Sequence, residues 1–172
     1  MTVAVRPVRA AIGLGGNVGD VPQAFRFAIE RMGAEPGIAN IVVSPLYATA
    51  PWGGIEQDRF LNAVAVLDTT LSPHALMEML LKIEREAGRD RSRETRWGPR
   101  RLDLDLLLHG DAVIAADGLQ LPHPRLHERA FALVPLLDAW PDAAIPGIGP
   151  ARQALDALDP ADIAAIIAGR VG

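Results

Sequence analysis

Arg96-Trp97-Gly98-Pro99-Arg100-Arg101-Leu102-Asp103-Leu104-Asp105-Leu106-Leu107-Leu108-His109-Gly110 decides the fold, because two halves with different backbone requirements meet inside it. The Trp97-Gly98-Pro99 part cannot be a helix interior, since the Gly-Pro pair punctuates the backbone and removes a donor. Leu102 to His109 is a short apolar run bounded by turn signals, which predicts a largely buried strand. Strand alternation puts Asp103 and Asp105 on one face, roughly 7 Å apart. Leu102, Leu104, Leu106 and Leu108 then face the other way, into a core. Two carboxylates on one face of an apolar strand repel each other and resist desolvation, a conflict that a bound cation resolves. Hard oxygen ligands suit Mg²⁺ better than zinc. A strand with one wet face, where both Asp meet water or arginine, satisfies the same short pattern.

The neighbours weigh against that bland alternative. Arg85, Arg89, Arg91, Arg93, Arg96, Arg100 and Arg101 are opposed only by Glu86, Asp90 and Glu94, so seven positive and three negative charges leave this segment at +4 in a chain of net charge −4. Lys82 is the chain's one lysine, so the basic groups here are all planar forks able to grip phosphate bidentately. Cationic forks beside paired carboxylates suit a polyphosphate with its metal. A solvated charged loop is the alternative, but it leaves unexplained why the run ends directly at the carboxylate strand.

Composition narrows the classes. A chain of 172 residues with 49% hydrophobic content predicts one domain, residues 1–172, with a full core. The absence of cysteine excludes disulfides, thiolate zinc sites and cysteine nucleophiles. No apolar run approaches a membrane span, and Met1 to Ala10 lacks a signal-peptide core, so a soluble, cytoplasmic, monomeric protein without membrane contacts is expected. The acidic balance speaks against general nucleic-acid affinity. His74, His109, His123 and His127 fit no helix-borne zinc spacing.

Along the chain, Val8 to Leu14 reads as a strand running into the glycine turn Gly13-Leu14-Gly15-Gly16-Asn17-Val18-Gly19. Asp20 caps a helix that Gly33 ends, with Gln23 three residues on as a capping-box variant. The glycines match neither the dinucleotide fingerprint nor a P-loop, leaving a plain turn or a backbone surface for a flat ligand. Ile38 to Val43 is a second strand, Thr49 to Gly54 a loop, and Phe60 to Leu67 a third strand with Asn62 near its start. Ser72-Pro73 opens a second helix whose buried stripe is Leu76, Leu80, Ile83 and Ala87, and Gly88 closes it. After the carboxylate strand, Asp111 to Ile114 reads as its hairpin partner. A short helix to Ala139 and one or two alanine-rich helices around Pro160 follow. The order β-α-β-β-α-β with additions is the split βαβ arrangement, an α+β fold with helices on a mostly antiparallel sheet.

Arg96-Trp97-Gly98-Pro99-Arg100 leading into Leu102-Asp103-Leu104-Asp105 resembles the signature of the 6-hydroxymethyl-7,8-dihydropterin pyrophosphokinase family of folate biosynthesis. The likeness extends in order to Gly15-Gly16-Asn17, Tyr47-x-Thr49, Phe60-Leu61-Asn62, Gly88-Arg89-x-Arg91, Pro122-His123-Pro124 and Arg129-x-Phe131. It implies a ferredoxin-like fold and transfer of the β,γ-pyrophosphate of MgATP to a pterin hydroxymethyl group, with release of AMP. By position it implies that Asp103 and Asp105 bind two Mg²⁺ ions. Arg89, Arg91 and Arg100 would hold phosphates, with Glu84, Leu106, His123 and Arg129 lining the ATP side. Trp97 and Phe131 would sandwich the pterin, with Gly15, Thr49, Ala50, Trp52, Phe60 and Asn62 around it. Flat heterocycles favour aromatic faces, and a flat amide such as Asn62 can pair with adjacent donors and acceptors. Phe60 stands where a tyrosine is common in the family, Gly16 where a serine is frequent, and Leu81 where some members carry a polar residue.

Two other readings use the same residues. Asp-x-Asp also serves nucleotide-sugar transferases and nucleotidyltransferases, which release different products. An RNA-binding module could use the arginines and Trp97, and steep salt dependence would mark it; the acidic remainder and the 5% aromatic content speak against it.

Overall fold

The computed structural model describes residues 5–50, 58–88 and 101–171. Strands β1 (Val8–Gly16), β2 (Ile38–Val43), β3 (Leu46–Thr49), β4 (Phe60–Thr69) and β5 (Asp103–His109) alternate with helices α1 (Val21–Gly33) and α2 (Pro73–Glu86). Every strand pair in the sheet is antiparallel, and the order runs β3-β4-β1-β5, with β2 beside β4. This is the α+β, split βαβ arrangement with β4 inserted between β1 and the β2–β3 edge.

Both long helices begin where the caps predict. The Asp20 carboxylate accepts from the Gln23 amide at 3.1 Å, and the Ser72 hydroxyl from the Ala75 amide at 3.1 Å. Each satisfies one of the first-turn donors that a helix leaves open. Phe25, Ala28 and Met32 of α1 and Leu76, Leu80 and Ile83 of α2 are buried against Ile12, Leu14, Leu104 and Leu106 of the sheet. On the opposite face a second cluster gathers Ala11, Tyr47, Val64, Val66, Leu107 and Leu108 under α3 (Ala130–Ala139), α4 (Ala151–Asp156) and α5 (Pro160–Ala168). After β5 come two small hairpins, β6 (Ile114–Ala116) with β7 (Leu119–Leu121) and β8 (Ala144–Ile145) with β9 (Gly149–Pro150), and a final short strand, β10 (Arg170–Val171), that adds to the sheet at β3.

Four expectations are corrected. Gly13, Gly15 and Gly16, expected in a turn, lie within β1 and pair with Val64, Asn62 and Leu61. Thr49, expected to open a loop, instead ends a strand, Leu46–Thr49, that the sequence did not announce: Tyr47 pairs with Asn62 and Thr49 with Phe60. Four residues after a proline carry too little periodicity to announce this. Leu108 does not share a face with Leu102, Leu104 and Leu106. The β1–β5 register shifts between Ala11 and Ile12, so Leu107 is an extra residue and both Leu107 and Leu108 join the second cluster. Finally, Asp111 to Ile114 is not the hairpin partner of β5. Ile114–Ala116 pairs with Leu119–Leu121 around Asp117-Gly118, Gly118 having φ +79°. The outer edge of β5 is already occupied, because the Leu104 amide donates to the Glu84 carboxylate at 2.7 Å and the Leu107 carbonyl accepts from the His123 amide at 2.9 Å.

Candidate functional site

The register of the sheet composes the site. One row across it reads Tyr47, Asn62, Gly15, Asp103, and the next reads Val64, Gly13, Asp105. Tyr47 and Val64 belong to the cluster under α3, and Leu104 between the two aspartates belongs to the opposite cluster. Asp103 and Asp105 therefore share the α3 face, as alternation requires, and both are half-buried. The glycines make room there. A Cβ on Gly15 would sit 3.4 Å from Asn62 Oδ1 and 3.9 Å from Asp103 Cβ. The open strip over Gly15, flanked by an amide and a carboxylate, is thus a consequence of a missing side chain.

Asn62 is held by its own hydrogen bond, its amide nitrogen donating to Thr49 Oγ1 at 2.9 Å. Phe60 lies half-buried opposite Thr49, and Ala50 follows it at the exposed end of β3. Phe131, in the first turn of α3, packs on the edge of the second cluster, with the Arg129 guanidinium carbon 5.6 Å from its ring centroid. Such a distance permits a cation–π contact.

His123 completes this side. Its backbone is pinned to Leu107, and its Nδ1 accepts from the Arg125 amide at 3.3 Å. With Nδ1 accepting, the neutral ring carries its proton on Nε2. Burial, then the nearby Arg129 cation, pushes its pKa down to about 4, against an opposing pull from Asp103. His123 is neutral at physiological pH.

A cavity of about 340 Å³ opens beside Asp105 and Leu106, walled by Met77 of α2, His123, and the Ala116–Gln120 turn of the small hairpin. Met77 and Gln120 are not among the residues that the sequence singled out. The signal for this wall was present in Asp117-Gly118, a two-residue hairpin turn between the short segments Ile114–Ala116 and Leu119–Leu121. Glu84 is nearby but 2% exposed, with a carboxylate oxygen on the Leu104 amide. A buried glutamate thus braces the strand from beneath, on the face opposite the aspartates.

Gly15, Thr49, Asn62, Asp103, Asp105, Leu106, His123, Arg129 and Phe131 therefore gather around one corner of the sheet. Trp52, Arg89, Arg91, Trp97 and Arg100 lie outside the described residues. Two carboxylates on one strand offer hard oxygen ligands on one side only. That suits Mg²⁺, which dehydrates reluctantly and is usually held by one or two carboxylates together with substrate phosphates and water. Among the described residues no group of three or more His, Asp or Glu gathers to enclose an ion.

Comparison with known proteins points to one family. Residues 11–141 match the family model described as 7,8-dihydro-6-hydroxymethylpterin-pyrophosphokinase (HPPK). A 2-amino-4-hydroxy-6-hydroxymethyldihydropteridine pyrophosphokinase of Methylorubrum extorquens is 46% identical over 155 residues, covering 90% of this chain and 96% of its own length. One from Pseudomonas aeruginosa is 41% identical over 138 residues, covering 80% and 84% respectively. Among solved structures, wild-type Plasmodium falciparum HPPK-DHPS superposes with a TM-score of 0.65 at 13% identity, over 90% of this chain. That likeness carries the fold alone, and this chain spans only 45% of the Plasmodium chain. The chain belongs to the 7,8-dihydro-6-hydroxymethylpterin-pyrophosphokinase family.

Proposed function

We propose that this corner of the sheet transfers the β,γ-pyrophosphate of MgATP to the hydroxymethyl group of 6-hydroxymethyl-7,8-dihydropterin, giving AMP and the pterin diphosphate in folate biosynthesis. The observation that carries the reading is the row Asn62–Gly15–Asp103, which sets an amide for a heterocycle edge and a carboxylate for a metal on either side of a bare glycine. The pterin lies along this row against Phe131, with Thr49, Phe60 and the backbone of Gly15 around it. Thr49 fixes the Asn62 amide, so the oxygen of that amide is left to meet ring donors.

ATP is assigned to the cavity lined by Met77, Asp105, Leu106 and His123, with Asp103 and Arg129 as further partners for its phosphates. Asp103 and Asp105 would hold two Mg²⁺ ions, which would supply charge neutralisation of the polyphosphate and polarisation of the attacking hydroxyl. The hydroxymethyl oxygen bonds to the β-phosphorus as the bridge to the α-phosphate breaks, AMP departs, and the hydroxyl proton is lost to water. Such transfers depend on in-line positioning and electrostatics more than on covalent participation by the protein. Neutral His123 donates Nε2–H to a phosphate oxygen without adding charge, and Arg129 adds one. On the family resemblance alone, Arg89, Arg91 and Arg100 are proposed as further phosphate ligands, and Trp97 and Trp52 as pterin contacts.

We infer a single-domain, monomeric, cytoplasmic enzyme, with no nucleic-acid partner. One sheet with a core on each face supports the single domain, and no described helix is long and apolar enough to cross a membrane. Chromatography of nucleotides after incubation with MgATP, with and without the pterin, tests the reaction. AMP formed only with pterin supports it. ADP in place of AMP means an ordinary kinase, and pyrophosphate release means a nucleotidyltransferase.

A further inference from the structure

We infer that the strand at the end of the described chain, β10 (Arg170–Val171), positions the pterin side of the site, and that Gly169 is the residue that lets it dock. The inference rests on the reading of Thr49 and Asn62 as pterin contacts. It concerns a segment beyond residues 11–141, the part that the family model matches.

Thr49 sits at the end of a four-residue strand, and β4 holds it from one side only. A strand this short at a sheet edge exposes unpaired backbone groups and frays readily. β10 removes that edge. Arg170 pairs with Tyr47 and Val171 with Leu46, while the Ala48 amide donates to the Gly169 carbonyl at 2.7 Å. The residues on either side of Ala48 are Tyr47, whose hydroxyl donates to Asp138 of α3, and Thr49, which fixes Asn62. Docking β10 therefore immobilises the strand that orients the Asn62 amide.

Gly169 makes this contact possible by its size. Its φ of −84° is ordinary for any residue, so conformation is not what requires glycine. A Cβ there would overlap the Ala48 carbonyl oxygen and lie 3.1 Å from the Ala48 carbonyl carbon. Both atoms are backbone in a paired strand and cannot rotate away. A side chain at position 169 must push β10 off β3, or push β3 toward the site.

The test uses full-length Gly169→Val and, as a second variant, a chain lacking everything from Arg170 onward. Affinity is measured for 6-hydroxymethyl-7,8-dihydropterin in the presence of a non-hydrolysable ATP analogue, and for the analogue alone. We expect pterin binding to weaken about tenfold, analogue binding to stay within about twofold, and amide exchange at Ala48 and Thr49 to quicken. A parallel loss of both ligands overturns the inference, as does unchanged pterin binding in a variant of lowered Tm, because a merely structural strand would give either. A wild-type protein that binds the analogue and not the pterin overturns the functional reading instead. Exchange at Ala48 then still decides whether β10 orders β3, and unchanged protection would sink that claim.

Discussion

The two faces of the sheet use the same strands for different ends. On one face α1 and α2, of 13 and 14 residues, run the length of the strands with buried stripes. Their buried residues pack on Ile12, Leu14, Leu104 and Leu106, and the buried Glu84 of α2 accepts from the Leu104 amide. On the other face α3 is shorter, 10 residues, and is apolar nearly all round. Phe131 packs at the partly exposed edge of that cluster, and the row Tyr47, Asn62, Gly15, Asp103 leaves the cluster after Tyr47. Binding chemistry needs uncovered sheet beside rigid sheet, and the unequal lengths of the helices provide both.

Neighbouring residues of β5 break this comparison most directly. Asp103→Ala, on the open face, is expected to lower turnover by about a thousandfold, the scale of losing a preorganised electrostatic group. Thermal unfolding should hardly change, and a Tm that collapses with activity would mean the aspartate is a structural residue. Leu104→Ala, one residue along on the covered face, should do the reverse. Removing a side chain that is 2% exposed costs about 2–5 kcal/mol of stability, read from urea unfolding, with near-normal turnover per folded molecule.

A smaller effect sharpens the boundary between the faces. Phe131→Ala removes the last cover α3 offers and one face of the proposed pterin slot. Loss of one stacking partner is worth about 1–3 kcal/mol, so pterin affinity should drop roughly tenfold or more while ATP-analogue affinity holds. Equal losses for both ligands would place Phe131 outside the slot.

The smallest expected effect concerns His123. Its folded pKa, about 4, lies below the ordinary value of 6.5, so between these values the unfolded chain binds a proton that the folded chain does not. Stability should therefore rise with pH across that window, and the dependence should flatten below pH 4. His123→Gln should remove this contribution from the pH profile. An unaltered profile would mean that the imidazole is not held neutral.

What could be read in advance follows from how each element is encoded. α1 and α2 announce themselves through caps, stripes and glycine stops that all agree, and the Asp103–Asp105 pairing follows from alternation alone. Asn62 as the polar exception in β4 was equally legible. β3 was not, because its four residues are fixed by pairing with β4 and β10 rather than by their own pattern. Met77 and Gln120 were missed for a related reason: they meet Asp105 only once the 114–121 hairpin folds onto β5. Glu84 reads as one more charge on a helix, and nothing local says that an edge amide twenty residues on will claim it.

Leu107 has the last consequence. As the single extra residue opposite β1, it divides β5 into two phases, like a reading frame shifted once. Upstream, odd positions face α3 and carry Asp103 and Asp105. Downstream, Leu108 faces α3, and His109 turns back to give its Nε2 to the Leu71 carbonyl at 2.9 Å. Without the shift the imidazole would be driven into the apolar layer that holds Leu107, and Leu108 would take its place beside Leu71. The strand thus carries its aspartates in one frame and its tie to Leu71 in another.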